Sequence, residues 1–78
     1  MALVTQIKKT NKSRHTIHKP TTCDYSIFVG DDGEQYLQID TYGSSERELA
    51  GKISQSIQFN RDSASQLRAL IDNHFGAG

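Results

Sequence analysis

Three side chains in the first third of the sequence have the chemistry of metal ligands. His15 and His18 are followed by Cys23, and zinc prefers imidazole nitrogen and thiolate sulfur as ligands. A separation of three brings two histidines together only on a helix, and the threonine-rich run around them disfavours a helix. No fourth ligand lies nearby in the sequence. We therefore expect no metal site and no cofactor.

Catalytic groups are not indicated by any spacing. The serine, histidine and aspartate residues are scattered, so a nucleophile, a base and an orienting group cannot be placed together from their positions. The single cysteine, Cys23, excludes an intramolecular disulfide. We therefore expect a protein that is not an enzyme.

The distribution of charge suggests a different chemistry. The 78-residue chain has nine basic and nine acidic residues and a formal charge of zero. Residues 1–20 contain five basic residues and no acidic one, whereas residues 21–78 contain four basic and nine acidic residues. A lysine or arginine beside a phosphate releases condensed counterions, so a basic arm is typical of a contact with nucleic acid. The alternative is a solvated leader.

Three strands are expected to position these groups. Apolar and polar side chains alternate over about residues 22–29, 34–42 and 52–59, which is the pattern of half-buried strands. Asp32-Gly33 separates the first two runs and favours a hairpin, because both residue types tolerate positive φ. A polar link, residues 43–51, connects the second run to the third, and residues 4–7 can add a short strand.

A helix over about residues 61–75 follows the third strand. Asn60 is a good N-cap, Asp62 lies in the first turn, and Gly76 ends the pattern. The apolar residues form one helical stripe, which consists of Ala64, Leu67, Leu70, Ile71 and Phe75.

Together these elements predict an α+β fold: an antiparallel sheet of three to four strands with one C-terminal α-helix packed on one face. Residues 22–78 form a single small β-β-β-α domain, and residues 1–21 form a basic, partly flexible arm. The helix is expected to cover the sheet face that carries Tyr25, Ile27, Leu37, Ile39, Ile53 and Ile57.

Oligomeric state and location follow from size and hydropathy. A core this small supplies only ~3–5 kcal/mol and leaves open sheet edges, so we expect a homodimer. The first residues contain no apolar run long enough for a signal peptide or a membrane span, so we expect a cytoplasmic protein without membrane contact.

The order of elements resembles the positive-cofactor-four family, with Gly51-Lys52-Ile53-Ser54 leading through Ser56-Ile57-Gln58-Phe59-Asn60 into the capped helix. The resemblance covers about residues 22–75. It implies a small coactivator-like protein that binds single-stranded DNA as a dimer, with a curved antiparallel sheet and a C-terminal helix. The sequence departs from the family on the DNA-facing strands, where Gln38, Asp40, Ser54 and Gln58 stand in place of basic residues, and it lacks the tryptophan and proline expected near the helix start.

The sheet face away from the predicted helix collects Phe28, Tyr36, Tyr42, Lys52, Ser54, Ser56 and Gln58. Aromatic rings on an open sheet stack bases, at ~1–3 kcal/mol for each base, and the basic arm supplies phosphate contacts. We therefore predict a site for single-stranded nucleic acid that consists of Lys8, Lys9, Lys12, Arg14, Tyr36, Tyr42 and Lys52. The alternative is a protein-protein interaction module, such as an accessory subunit or a small phage-encoded inhibitor, because exposed aromatic residues also cover a partner protein or a second copy of the chain.

Overall fold

The computed structural model describes residues 1–12, 14–42 and 53–76. In these residues, four strands form one sheet and a helix follows: β1 (Ala2–Val4), β2 (Cys23–Val29), β3 (Gln35–Thr41), β4 (Gln55–Phe59) and α1 (Arg61–Phe75). The strand order across the sheet is β1-β4-β3-β2. The predicted α+β fold with a C-terminal helix against the sheet is confirmed. The polar link predicted for residues 43–51 lies outside the described residues.

Strands β2 and β3 form the predicted antiparallel hairpin, in a register that runs from Cys23 opposite Thr41 to Val29 opposite Gln35. The Gly30 N–H donates to the Glu34 carbonyl at 2.8 Å, and the Gly33 N–H donates to the Gly30 carbonyl at 3.0 Å. Only Gly33 has a positive φ in this turn, at 80°. The connection is therefore a three-residue loop that ends in a left-handed glycine rather than a two-residue turn.

Strand β4 is shorter than predicted and begins at Gln55 rather than at residue 52. Its antiparallel register with β3 places Gln55 opposite Thr41, which is the last residue of β3. The Ser54 N–H still donates to the Thr41 carbonyl at 2.8 Å. Ile53 has no further β3 residue to pair with, so it lies outside the sheet.

Strand β1 makes the sheet mixed instead of purely antiparallel. It runs parallel to β4, with Ala2 opposite Ile57 and Val4 opposite Phe59. The fourth strand therefore consists of Ala2–Val4, whereas the sequence indicated residues 4–7. Thr5 and Ile7 leave the sheet to make hydrogen bonds with α1.

Helix α1 has the predicted bounds and the predicted caps. The Asn60 side chain accepts a hydrogen bond from the Ser63 N–H at 2.8 Å, and the Ser63 hydroxyl accepts one from the Asn60 N–H at 3.0 Å. This reciprocal capping box satisfies two backbone donors and leaves Ser63 fully buried. Gly76 ends the helix with φ +84° and donates to the Asp72 carbonyl at 3.1 Å.

The core is narrow, because α1 packs on β3 and β4 and leaves β2 uncovered. Among the described residues Phe59, 6 % exposed, is the only buried apolar residue. The prediction that the helix covers Tyr25 and Ile27 is wrong, since Tyr25 is 74 % exposed and Ile27 is 50 % exposed. A helix about 10 Å wide covers about two strands spaced ~4.8 Å apart, and this sheet has four.

Candidate interaction surfaces

The sheet face opposite α1, which we call the polar face, carries a connected hydrogen-bond network. Gln58 Nε2 donates to Gln38 Oε1 at 2.8 Å, and Gln38 Nε2 donates to Asp40 Oδ1 at 3.0 Å. The Ser56 hydroxyl donates to the same Asp40 oxygen at 2.5 Å. These side chains lie directly opposite one another on β3 and β4, so the network stabilises the pairing of the two strands.

Tyr36 lies on the polar face as predicted, but its ring and its hydroxyl are both engaged. Its ring stacks on Phe28, with centroids 5.6 Å apart and an interplanar angle of 26°. It also packs against Gly30, where a Cβ atom would lie 2.8 Å from Tyr36 Cε2. The hydroxyl donates to Asp32 Oδ2 at 2.5 Å. Tyr36 therefore belongs to the packing of the hairpin turn.

The hydrogen bond between Tyr36 and Asp32 shifts the pKa values of both side chains. The pKa of Asp32 lies below its ordinary value, first because the Tyr36 hydroxyl donates to the carboxylate and second because the Glu34 N–H does so. The pKa of Tyr36 is raised by the same hydrogen bond, and more weakly by burial. The hydroxyl and the carboxylate thus favour the same state, a neutral phenol beside an ionised carboxyl group.

Tyr42 makes an equivalent contact at the other end of the hairpin. Its hydroxyl donates to Asp24 Oδ2 at 2.5 Å, and this bond is the main reason that the pKa of Tyr42 is raised. The Thr21 hydroxyl donates to the Tyr42 carbonyl at 3.3 Å, which ties the segment before β2 to the end of β3.

The carboxylates of Asp24, Asp32 and Asp40 accompany the tyrosines and the amides of the polar face. Each of the three accepts a side-chain hydrogen bond from a neighbour on this face or at its turn. An anionic phosphate backbone laid across the face would meet these charges. The polar face therefore offers stacked rings in an acidic setting.

The basic arm begins on the other side of the sheet, beside α1. The Ile7 N–H donates to Gln66 Oε1 at 2.9 Å, and Gln66 Nε2 donates to the Thr5 carbonyl at 3.4 Å. Lys8 and Lys9 line a shallow depression together with helix residues that include Leu70 and His74. The arm thus follows the helix rather than the tyrosines.

The predicted nucleic-acid site is therefore divided in the structure. Tyr36 and Tyr42 lie on the polar face, whereas Lys8 and Lys9 lie beside α1. Lys12 and Arg14 are exposed, and Lys52 lies outside the described residues.

The helix side of the sheet carries an apolar surface that the sequence analysis did not predict to be open. On β2, Tyr25, Ile27 and Val29 alternate on this side, and Val29 is 67 % exposed. On α1, Ile71 is also partly exposed and Phe75 is 84 % exposed. Large apolar side chains exposed together mark an interaction surface in soluble proteins more often than side chains exposed singly.

A groove of about 470 Å³ runs between β2 and the first half of α1. Its apolar lining includes Ile27 from β2, Leu37 from β3 and Ala64 from α1. Arg61 and Arg68 also line it, so cationic side chains flank an apolar floor. The Arg68 guanidinium contacts Asp72 at 3.9 Å in an exposed i,i+4 pair, a geometry worth only ~0.3–0.5 kcal/mol, so Arg68 remains able to bind another anion.

One signal in the sequence indicates that an apolar strand face stays open, without telling which one. The alternating runs supply three apolar strand faces, and one helical stripe is too narrow to cover all of them. Which strand stays open depends on strand order, and strand order is set by contacts between distant residues.

Comparison with known proteins adds no relative: no family model matches the chain, and neither a curated protein nor a solved structure matches it. The resemblance to the positive-cofactor-four family therefore stays a prediction.

Within the described ranges, no helix is both long enough and apolar enough to cross a membrane. In the same residues, no three histidine, cysteine, aspartate or glutamate side chains are grouped so that they could hold a metal ion.

Proposed function

We propose that this chain is a small protein-interaction module that acts as a homodimer and binds an apolar, acidic segment of a partner protein in the groove beside α1. The observation that carries the proposal is the exposed apolar surface on the helix side. Tyr25, Val29 and Phe75 are largely exposed there, and among the described residues Phe59 is the only apolar residue that is buried. Burying one large apolar side chain contributes about 1.5–3 kcal/mol, so a partner that covers this surface gains considerable free energy.

The chemistry of the partner follows from the lining of the groove. Ile27, Leu37 and Ala64 favour apolar side chains, and Arg61 and Arg68 favour carboxylates beside them. Exposed charge pairs contribute ~0.2–1 kcal/mol each, so the arginines select among partners, whereas apolar contact supplies most of the affinity.

A homodimer is supported by the small core and by the open edge of β2. A domain of this size is marginal when it stands alone, and association buries surface that folding leaves exposed. A cytoplasmic location also belongs to the proposal, because an exposed unpaired thiol such as Cys23 suits a reducing compartment.

Binding of single-stranded nucleic acid is the second candidate, and one observation favours a changed location for it. Lys8 and Lys9 lie along one flank of α1. Arg61 and Arg68 lie along the other flank, on the side of β2, where the Tyr25 ring is exposed. A single strand would therefore use the helix side and the Tyr25 ring, instead of Tyr36 and Tyr42.

The proposed function is tested by titrating the ¹⁵N-labelled chain with two amphipathic peptides. The peptides share their apolar residues, and one carries glutamates where the other carries lysines. We expect the glutamate peptide to bind more tightly and to shift the amide signals of Ile27, Leu37 and Ala64. Two peptides of equal affinity, or shifts confined to the polar face, would contradict the proposal.

A charge-reversed variant supplies the matched control. Arg61→Glu with Arg68→Glu keeps the apolar lining and inverts the flanking charge. It is expected to prefer the lysine peptide, because only the sign of the electrostatic contribution changes.

A further inference from the structure

Among the described residues, no strand pairs with the outer edge of β2. β2 is the last strand in the order β1-β4-β3-β2, and all seven of its residues are exposed. At the opposite edge, β1 has only three residues. Short edge strands are protected against further pairing by their length, and long ones need another protection.

The register of the hairpin tells which backbone groups point outward. Gly30 and Glu34 share a hydrogen bond across the turn, through the Gly30 N–H. Hydrogen-bonded and non-hydrogen-bonded pairs alternate along an antiparallel ladder, so Phe28, Ser26 and Asp24 also face β3. The backbone N–H and C=O groups that face outward therefore belong to Cys23, Tyr25, Ile27 and Val29.

Protective features that usually block an open edge are missing from β2. The strand contains no proline, lysine or arginine, and its register with β3 runs without a bulge from Cys23 to Val29. Its one charged residue, Asp24, lies on the polar face and accepts a hydrogen bond from Tyr42. A long, regular and nearly uncharged edge is a template for another strand.

We propose that β2 pairs antiparallel with β2 of a second copy of the chain, about a two-fold axis at Ser26. The inference rests on the proposed homodimer and specifies how the two copies meet. In this register Tyr25 lies opposite Ile27, Cys23 lies opposite Val29, and the two Ser26 residues face each other. Every outward-facing residue of both strands then has an outward-facing partner, which shorter overlaps do not provide.

Charge and side-chain pairing select the same register. Asp24 lies opposite Phe28 of the second copy, so the two Asp24 carboxylates are well separated. On the helix side, Tyr25 and Ile27 form an aromatic and β-branched pair, a favourable combination across strands. The two four-stranded sheets become one continuous sheet with both helices on the same side. The apolar surfaces of the two copies then adjoin at the axis.

Site-directed cross-linking tests the register. In a Cys23→Ser background, Ser26→Cys places two thiols in a non-hydrogen-bonded pair on the axis, where Cα atoms are about 4.5 Å apart and within disulfide range. We expect a cross-linked dimer under mild oxidation. Asp31→Cys in the same background is the control, since it lies at the hairpin tip, and we expect it to remain monomeric on a denaturing gel.

The unsubstituted chain supplies a second control on the register. Its two Cys23 residues lie six positions apart along the paired strands, roughly 20 Å at ~3.4 Å per residue. Cys23 is therefore expected not to cross-link. Cross-linking through Cys23, or equal cross-linking at positions 26 and 31, would overturn the proposed pairing.

A backbone substitution separates edge pairing from side-chain contact. Tyr25→Pro removes an outward-facing N–H and leaves the β2–β3 bonds intact, whereas Tyr25→Thr removes the ring and keeps the N–H. We expect sedimentation to show a dimer dissociation constant raised about tenfold or more by proline, because two symmetry-related bonds are lost, and raised less by threonine. Equal weakening by both would overturn edge pairing.

The outcomes also distinguish this inference from the proposed function. If a dimer forms but does not cross-link at position 26, the proposed β2 pairing is wrong and the proposed homodimer stands. If sedimentation at micromolar concentration shows a monomer, both the proposed homodimer and the proposed pairing are wrong. Peptide binding in the groove is tested separately by the NMR titration.

Discussion

Gln66 holds the backbone of Ile7 by a hydrogen bond of 2.9 Å between the Ile7 N–H and Oε1. The same side chain donates from Nε2 to the Thr5 carbonyl at 3.4 Å and to Asp62 Oδ2 at 3.1 Å. One amide thus binds a donor and an acceptor of the arm, much as a neighbouring strand would. This contact keeps the arm beside α1 directly after β1.

Gln66→Ala is therefore expected to release the arm. Each hydrogen bond contributes about 0.5–1.5 kcal/mol, so the free energy of unfolding should fall by about 1–2 kcal/mol. Hydrogen exchange at the Ile7 amide should accelerate most. Ser65→Ala, one position earlier and exposed, is the control and should leave Ile7 protected. Unchanged hydrogen exchange at Ile7 in Gln66→Ala would show that the Gln66 side chain does not hold the arm.

The bond between Tyr36 and Asp32 predicts a stability that depends on pH at both ends. The pKa of Asp32 is lowered on folding, so its contribution is present above the ordinary aspartate pKa of about 3.9 and is lost as pH falls through the lower folded value. The pKa of Tyr36 is raised, so its contribution is present below about pH 10 and is lost as pH rises through the folded value.

Tyr36→Phe is expected to weaken the dependence at low pH and to remove the Tyr36 contribution at high pH. Carboxyl NMR titration should show the pKa of Asp32 moving up toward its ordinary value, with the part due to the Glu34 N–H remaining. Urea unfolding across the pH range should show a flatter profile. Tyr25→Phe on the other side of the sheet is the control, and an identical profile in both variants would contradict the assignment.

Two phenylalanines offer the same substitution in opposite surroundings. Phe59→Ala leaves a cavity in the core and is expected to lower the free energy of unfolding by about 3–5 kcal/mol. Phe75→Ala, on the exposed last turn, should change it by no more than about 0.5 kcal/mol. Phe59→Leu, which keeps more of the volume, provides a folded variant for measurement. Denaturant unfolding compares them, and similar losses at positions 59 and 75 would mean that the core is misplaced.

Oligonucleotide binding separates the two candidate functions. Any affinity for a thymine oligomer is expected to depend on the basic side chains. Neutralising Lys8, Lys9, Lys12 and Arg14 to glutamine should therefore flatten the logarithmic salt dependence by up to ~0.7 for each lost phosphate contact. Removal of the rings at Tyr36 and Tyr42 should leave the affinity unchanged, because the carboxylates bound to their hydroxyls repel a phosphate backbone and the Tyr36 ring already stacks on Phe28. A loss of ~1–3 kcal/mol of binding free energy for each ring removed would show instead that bases stack on the polar face.

Local signals were sufficient to predict the hairpin and the helix. Asn60, the apolar stripe and Gly76 lie within a few residues of the contacts that they make, so α1 was located to the residue. The turn at Gly33 likewise depends on its own neighbours.

Contacts between distant residues were beyond the reach of the sequence patterns. Nothing near Ala2 indicates that it pairs parallel with Ile57, and the position of α1 over β3 and β4 depends on that sheet order. The side chains of Tyr36 and Tyr42 were predicted on the correct face of the sheet. Their hydrogen bonds to Asp32 and Asp24 depend on side-chain conformations that the alternation of polar and apolar residues does not encode.

The parallel pairing of β1 with β4 has a consequence for the order in which the protein folds. Val29 and Gln35 are six positions apart and meet early, whereas Ala2 and Ile57 are 55 positions apart. Closing the longer loop costs about 2 kcal/mol more in chain entropy, so β1 is expected to dock last. Until it docks, the outer edge of β4 stands open in the nascent sheet. Conditions that delay β1 should therefore favour aggregation during folding more than they lower the stability of the finished protein.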